Sequence, residues 1–124
     1  MNLDLALYVA THYCSLMTPA ERAAERHLTT VFKLMDGRSD AAAQREAWAI
    51  GGGRRRWMSS DPEVLALADG GLDAFRERFA ARALAEHSDT VFLNRCPQCN
   101  GLTRTPRAKL CLHCGHAWHH AVPG

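Results

Sequence analysis

The chain has 124 residues and no apolar run long enough to cross a bilayer, so no membrane helix is expected. No Lys or Arg precedes Asp4, where a secretory leader would carry its basic residues, and a cytoplasmic protein is expected. No Gly-Lys-Ser or Gly-Lys-Thr follows Gly51-Gly52-Gly53, so these glycines do not form a phosphate-binding loop. No serine nucleophile elbow occurs, and Glu21, Glu25 and Glu46 suggest helix capping and surface charge rather than paired-carboxylate chemistry. Cys14 and His12 lie two residues apart, so on a helix their side chains diverge; a buried small hydrophobe is expected at Cys14. There is no internal repeat and no low-complexity segment. With each such constellation missing, an enzyme is not expected.

What is present begins with cysteine. Five is an odd number, and four of them form two close pairs, an arrangement that suits a metal better than disulfides and fits a reducing compartment. Apolar residues make up 47%, enough for a core, although many are alanines that bury little area. Charge is unevenly placed. Residues 1–89 carry 11 Lys and Arg against 13 Asp and Glu, whereas residues 90–124 carry Arg95, Arg104, Arg107 and Lys109 and no acid. A modest basic tail is compatible with nucleic acid without requiring it.

Helical spacing dominates residues 1–89. Leu3, Leu7, Ala10 and Cys14 fall on one face of a first helix, widened by Leu5, Val9 and Leu16. Thr18, Pro19 and Glu21 then form a capping box with proline in the first turn. Ala20, Ala24, His27, Leu28, Val31, Leu34 and Met35 make one stripe, on which His27 is expected as a hydrogen-bonded core residue, and Gly37 ends this helix. Ser39 or Asp40 caps a third helix that stops at the glycines 51–53. Ser60 with Glu63, or Asp61 with Pro62, starts a short fourth helix that ends at Gly70-Gly71. A last helix turns Leu72, Phe75, Phe79 and Ala83 inward and Arg76, Glu77 and Arg82 outward. After residue 89 the β-branched and aromatic "TVFLN" reads as a strand.

The tail then reads Cys96-Pro97-Gln98-Cys99-Asn100, eleven residues between the cysteine pairs, and Cys111-Leu112-His113-Cys114-Gly115. Each Cys-x2-Cys turn can aim both sulfurs at one point, and two turns complete the tetrahedron that zinc prefers. Pro97 stiffens the first turn, while Gly115 and Asn100 can take the positive φ needed after each pair. The intervening residues suit a hairpin turning near Thr105-Pro106. Redox use of the pairs and four unrelated buried thiols are the weaker readings.

"CPQCN" and "CLHCG" resemble the rubredoxin-like knuckles of the zinc-ribbon family, over residues 90–120, with Asn100 where ribbons usually carry glycine. The tail also resembles small uncharacterised bacterial proteins. The zinc-ribbon resemblance implies one structural Zn2+ held by Cys96, Cys99, Cys111 and Cys114. A closed thiolate shell leaves no position for reactive water, unless His113, His116, His119 or His120 replaces a cysteine. Trp118 is expected as a lid between this module and the helices.

The expected fold is mainly α: a bundle of four to five helices over residues 1–89, with a C-terminal zinc-ribbon β-hairpin module over 90–124 packed on it. Structural zinc can contribute about 10 kcal/mol or more to folding a small module. The expected function is non-catalytic protein binding by an adaptor, a regulator or a toxin-neutralising immunity-type protein of bacteria. The alternative is nucleic-acid binding, with Arg54, Arg55, Arg56, Arg104, Arg107 and Lys109 on phosphates and Trp57 on a base. Against it, three successive arginines on a helix point in different directions. The partner's identity and the oligomeric state are not encoded in any motif.

Overall fold

A computed structural model of the chain describes residues 1–118 and contains five α-helices and two short 3-10 helices. These are α1 (Leu3–His12), a 3-10 turn (Cys14–Leu16), α2 (Pro19–Leu34), α3 (Ala41–Ile50), a 3-10 helix (Gly52–Trp57), α4 (Pro62–Leu67) and α5 (Leu72–Glu86). α1 lies along α5, and α2 packs against α3, α4 and α5. No helix among the described residues is long and apolar enough to cross a membrane.

Local chemistry accounts for the helix starts. Thr18 Oγ1 accepts the Glu21 N–H at 3.1 Å while Glu21 Oε1 accepts the Thr18 N–H at 2.8 Å, the reciprocal capping box, with Pro19 in the first turn. Asp40 caps α3 by accepting the Ala43 N–H at 2.8 Å, and Asp61 caps α4 by accepting the Glu63 N–H at 2.9 Å. α5 has no cap of its own because Gly71 precedes it. Ser39 supplies one from across the fold, its Oγ accepting the Leu72 N–H at 2.9 Å. Gly71 adopts φ 94° and ψ −171°, a region essentially reserved for glycine, and an added Cβ would lie 2.9 Å from that same Oγ.

The main core joins Val9, Leu28, Leu72, Phe75 and Phe79, all buried, with Met17 and Val91 at its edges. A smaller core of Val31, Ala43 and Ala47 sits between α2 and α3. Inside this frame His27 is 2% exposed and is hydrogen-bonded on both ring nitrogens. Its Nδ1 accepts the Ser59 N–H and its Nε2 lies 3.1 Å from Gln44 Oε1. Gln44 in turn donates to Ser39 O and Ala68 O. One part-buried polar chain thus links α2, the start of α3 and the end of α4. Burial holds the His27 imidazole below its ordinary range, with the Gln44 contact opposing only in part.

Several expectations are corrected. Among the described residues there is no strand or sheet, so the C-terminal β-hairpin is absent; only the isolated bridges Arg95↔Leu102 and Leu110↔Ala117 occur. Within 92–94 the backbone bonds tyrosine hydroxyls of the α1 region instead, and Asn94 O accepts from Thr103. Tyr8 Oη donates to Phe92 O and accepts the Asn94 N–H, and Tyr13 Oη accepts the Phe92 N–H. α1 is rotated from the expected stripe: Ala6, Tyr8, Val9 and Ala10 are buried, whereas Leu3 and Leu7 are exposed. Cys14 is exposed, because α1 stops at His12 and the chain tightens into a 3-10 turn. Arg82 folds onto the start of α2, with Nε 2.9 Å from Glu21 Oε2 and Nη2 donating to Leu16 O. Burial alone would raise the Glu21 carboxyl, but Arg82 and the Thr18 N–H outweigh it and hold it below the ordinary carboxylate range.

Candidate metal centre

Residues 95–102 and 110–117 fold into two knuckles of the same design. In each, the first cysteine N–H donates to the carbonyl five residues on: Cys96 to Gly101 O and Cys111 to His116 O, both 2.8 Å. Its carbonyl accepts the N–H four residues on, from Asn100 in the first knuckle and Gly115 in the second, both 2.9 Å. Closing so tight a turn requires positive φ, and Asn100 (63°) and Gly115 (78°) supply it. One antiparallel bridge then clamps each knuckle's ends.

The turns converge on four sulfurs. Cys96 and Cys114 Sγ atoms lie 3.7 Å apart, Cys99 and Cys111 Sγ atoms 3.5 Å apart, and all four lie within 4.8 Å of one another. A tetrahedral ion with metal–sulfur bonds of about 2.3 Å has sulfur–sulfur edges of about 3.8 Å, so the four cysteines fit one metal ion. Cys96 and Cys111 are buried, Cys99 and Cys114 exposed, and none is in a disulfide.

Backbone donors surround these sulfurs. Cys96 Sγ accepts the N–H groups of Gln98 and Cys99, Cys99 Sγ that of Gly101, and Cys111 Sγ that of His113, at 3.3–3.4 Å. Burial pushes the Cys96 thiol up, but the Cys99 and Gln98 N–H groups outweigh it and bring it to about 7. At Cys99 the Gly101 N–H favours the thiolate, yet the neighbouring Cys111 sulfur and burial oppose it and push the thiol up to about 12. Cys111 is lowered, with the Cys114 N–H as the largest cause. At Cys114 the His116 N–H, helped by the Cys99 sulfur, works against burial and the Cys96 and Cys111 sulfurs, and the thiol is raised. Four thiols this close cannot all ionise without a cation among them, and a bound metal would supply it.

The chain matches no protein-family model, no curated protein and no solved structure in comparisons with each. The zinc-ribbon resemblance therefore stands on the knuckles alone.

Histidines do not join the cluster among the described residues, where the metal-competent group is the four cysteines. His113 lies over Gly101, where an added Cβ would be 2.8 Å from its ring, and its Nε2 is 3.0 Å from Leu102 O. That contact sews one knuckle to the other. His116 stacks on Trp118 at 5.8 Å, and His119 and His120 lie outside the described residues.

The basic candidates are dispersed. A 3-10 helix has three residues per turn, so Arg54, Arg55 and Arg56 point about 120° apart. Arg55 bonds Trp48 O and Ala49 O at the end of α3, and Arg56 lies over the Trp57 ring. Arg54 and Trp57 line a groove with α2. Arg104 lines a different groove, between α1 and the knuckles, and Arg107 and Lys109 are exposed on the loop between the knuckles.

Two positioning residues carry little signal in the sequence. Asn94 Nδ2 donates to Thr105 O and Ala108 O, shaping the loop between the knuckles, and Tyr8 holds the Asn94 backbone. The one available sign is an amide interrupting an apolar run two residues before Cys96.

Proposed function

We propose that this is a non-catalytic binding protein whose C-terminal segment is cross-linked by one structural zinc ion. The observation that carries the reading is the four-sulfur cluster at tetrahedral edge distances. Cys96, Cys99, Cys111 and Cys114 would fill all four positions of the ion, leaving none for water to be activated. The ion supplies charge neutralisation and a cross-link between the two knuckles, and so contributes directly to folding.

The partner we propose is another protein, bound in the manner of a bacterial adaptor, regulator or immunity protein. Support comes from large apolar side chains left in solvent on α1 and the second knuckle: Leu3 (52% exposed), Leu7 (46%), Leu110 (42%) and Leu112 (59%). Leu7 and Leu112 border one groove of about 990 Å³ between these elements. Metal analysis together with affinity capture from the native host tests both halves. Stoichiometric zinc and a partner released by Leu7→Glu or Leu112→Glu support the reading. Zinc-free folded protein, or capture unaffected by both substitutions, contradicts it.

A second reading, nucleic-acid binding, is favoured by the groove beside Arg54 and Trp57.

A further inference from the structure

The exposed side of α2 carries Arg22, Glu25, Arg26, Thr29, Thr30 and Lys33, spaced by three and four residues so that they share one face. The 3-10 helix Gly52–Trp57 stands opposite, and Arg54 and Trp57 complete a groove of about 770 Å³. Four cations therefore converge in a segment, residues 1–89, whose acids outnumber its bases by 13 to 11. Among the described residues none of the four lies within ion-pair distance of a carboxylate. Glu25 is the one acid in the lining, and burial raises its carboxyl, with Arg76 opposing only in part. Trp57 is 46% exposed, with the Arg56 guanidinium 5.0 Å from its ring centroid.

We infer that the groove between α2 and the Gly52–Trp57 helix binds single-stranded nucleic acid, its phosphates taken by Arg22, Arg26, Lys33 and Arg54 and a base stacked on Trp57. The inference rests on the nucleic-acid reading and supplies it with a site. Arg22 and Arg26 sit about one helical turn apart, roughly 5.4 Å along the axis, and Lys33 lies two turns further on, so the face offers repeated contacts to a repeating anion. Thr29 and Thr30 lie between Arg26 and Lys33 along the helix, the Thr30 hydroxyl donating to Arg26 O at 2.8 Å. An indole beside such a row selects for a strand with unpaired bases, because every base has a π face and an acidic peptide has none to offer. A duplex keeps its bases stacked internally and cannot use Trp57 in this way. The three α2 cations form no basic run in the sequence, because they are spread over residues 22–33.

Fluorescence anisotropy of a labelled oligothymidylate at low salt tests this, using full-length metal-loaded protein with helicity and metal content checked for each variant. Arg26 and Lys33 are exposed, so Arg26→Glu and Lys33→Glu leave the fold intact and weaken binding by about tenfold or more each. The salt slope becomes shallower by about 0.7 for each phosphate that is no longer neutralised. Trp57→Ala weakens binding by about 5- to 100-fold. Arg45→Glu, the same charge change on α3 outside the groove, leaves binding unchanged. If wild type binds and affinity falls with Arg104→Glu and Arg107→Glu instead, nucleic-acid binding stands and this site is wrong. If wild type does not bind at low salt, both fall. Equal affinity for duplex DNA or for a polyglutamate peptide also overturns the inference, since the groove is then a charge patch without base recognition.

Discussion

Tyr8 Oη lies 2.7 Å from Phe92 O and 3.2 Å from the Asn94 N–H nitrogen, so one hydroxyl on α1 fixes the backbone that leads into the first cysteine knuckle. Tyr8→Phe keeps the ring and removes both bonds. The Asn94 N–H would then be buried without its partner, at a cost of about 1–3 kcal/mol. Urea unfolding of metal-loaded protein should show that destabilisation at unchanged m-value. Tyr13→Phe should cost less, because Tyr13 Oη is exposed to water that can replace it.

Stability should fall on mild acidification, and His27 should account for part of it. The buried imidazole is held below the 6.5 of the unfolded chain. As pH falls below about 6.5 the unfolded state takes up a proton that the folded state refuses, so stability present above that pH is lost. Protonation would also remove the acceptor that Nδ1 offers the Ser59 N–H. Comparing the pH slope of urea midpoints for wild type and His27→Gln isolates this contribution from that of the thiols, with a flatter slope expected for the variant. Glu21 acts in a lower window. Its carboxyl is held below 4.5, so the stability it contributes is complete above that value and is lost as pH falls through its lowered pKa.

Gly71→Ala should destabilise by about 1–3 kcal/mol, since alanine resists the Gly71 backbone conformation and its methyl meets Ser39 at 2.9 Å. Gly53→Ala is the control: nothing lies within 4 Å of an added Cβ, and stability should not drop. Thermal unfolding of both variants checks the contrast. Ser39→Ala should lower stability by about 1 kcal/mol through removal of the α5 cap.

At Asn100 the positive φ of 63° predicts that Asn100→Gly is tolerated and Asn100→Val is not. A competition titration for metal should show the glycine variant equal to wild type and the valine variant weakened.

The four-cysteine cluster is legible in the sequence because Cys-x2-Cys spacing is local: the turn geometry is written within five residues, including the positive-φ position. The Thr18–Glu21 box is legible for the same reason. The strand expectation fails because "TVFLN" has strand composition, while its backbone bonds go to His87 O, to Thr103 and to tyrosine hydroxyls about eighty residues upstream. No local pattern encodes such a pairing. Ser39 reads as a candidate cap for the helix beside it, yet it caps α5, since Asp40 already serves α3. Periodicity places Arg82 outward, and only the position of Glu21 in space turns it back. The cations of α2 need the fold as well, because the opposite wall of their groove comes from residues 54 and 57.

X-ray absorption at the metal edge of the purified full-length protein bears most directly on the four-cysteine centre. One zinc per chain, with four sulfur neighbours at about 2.3 Å, is the predicted result. A nitrogen or oxygen neighbour at about 2.0–2.1 Å in place of one sulfur, or folded protein without stoichiometric metal, would contradict it.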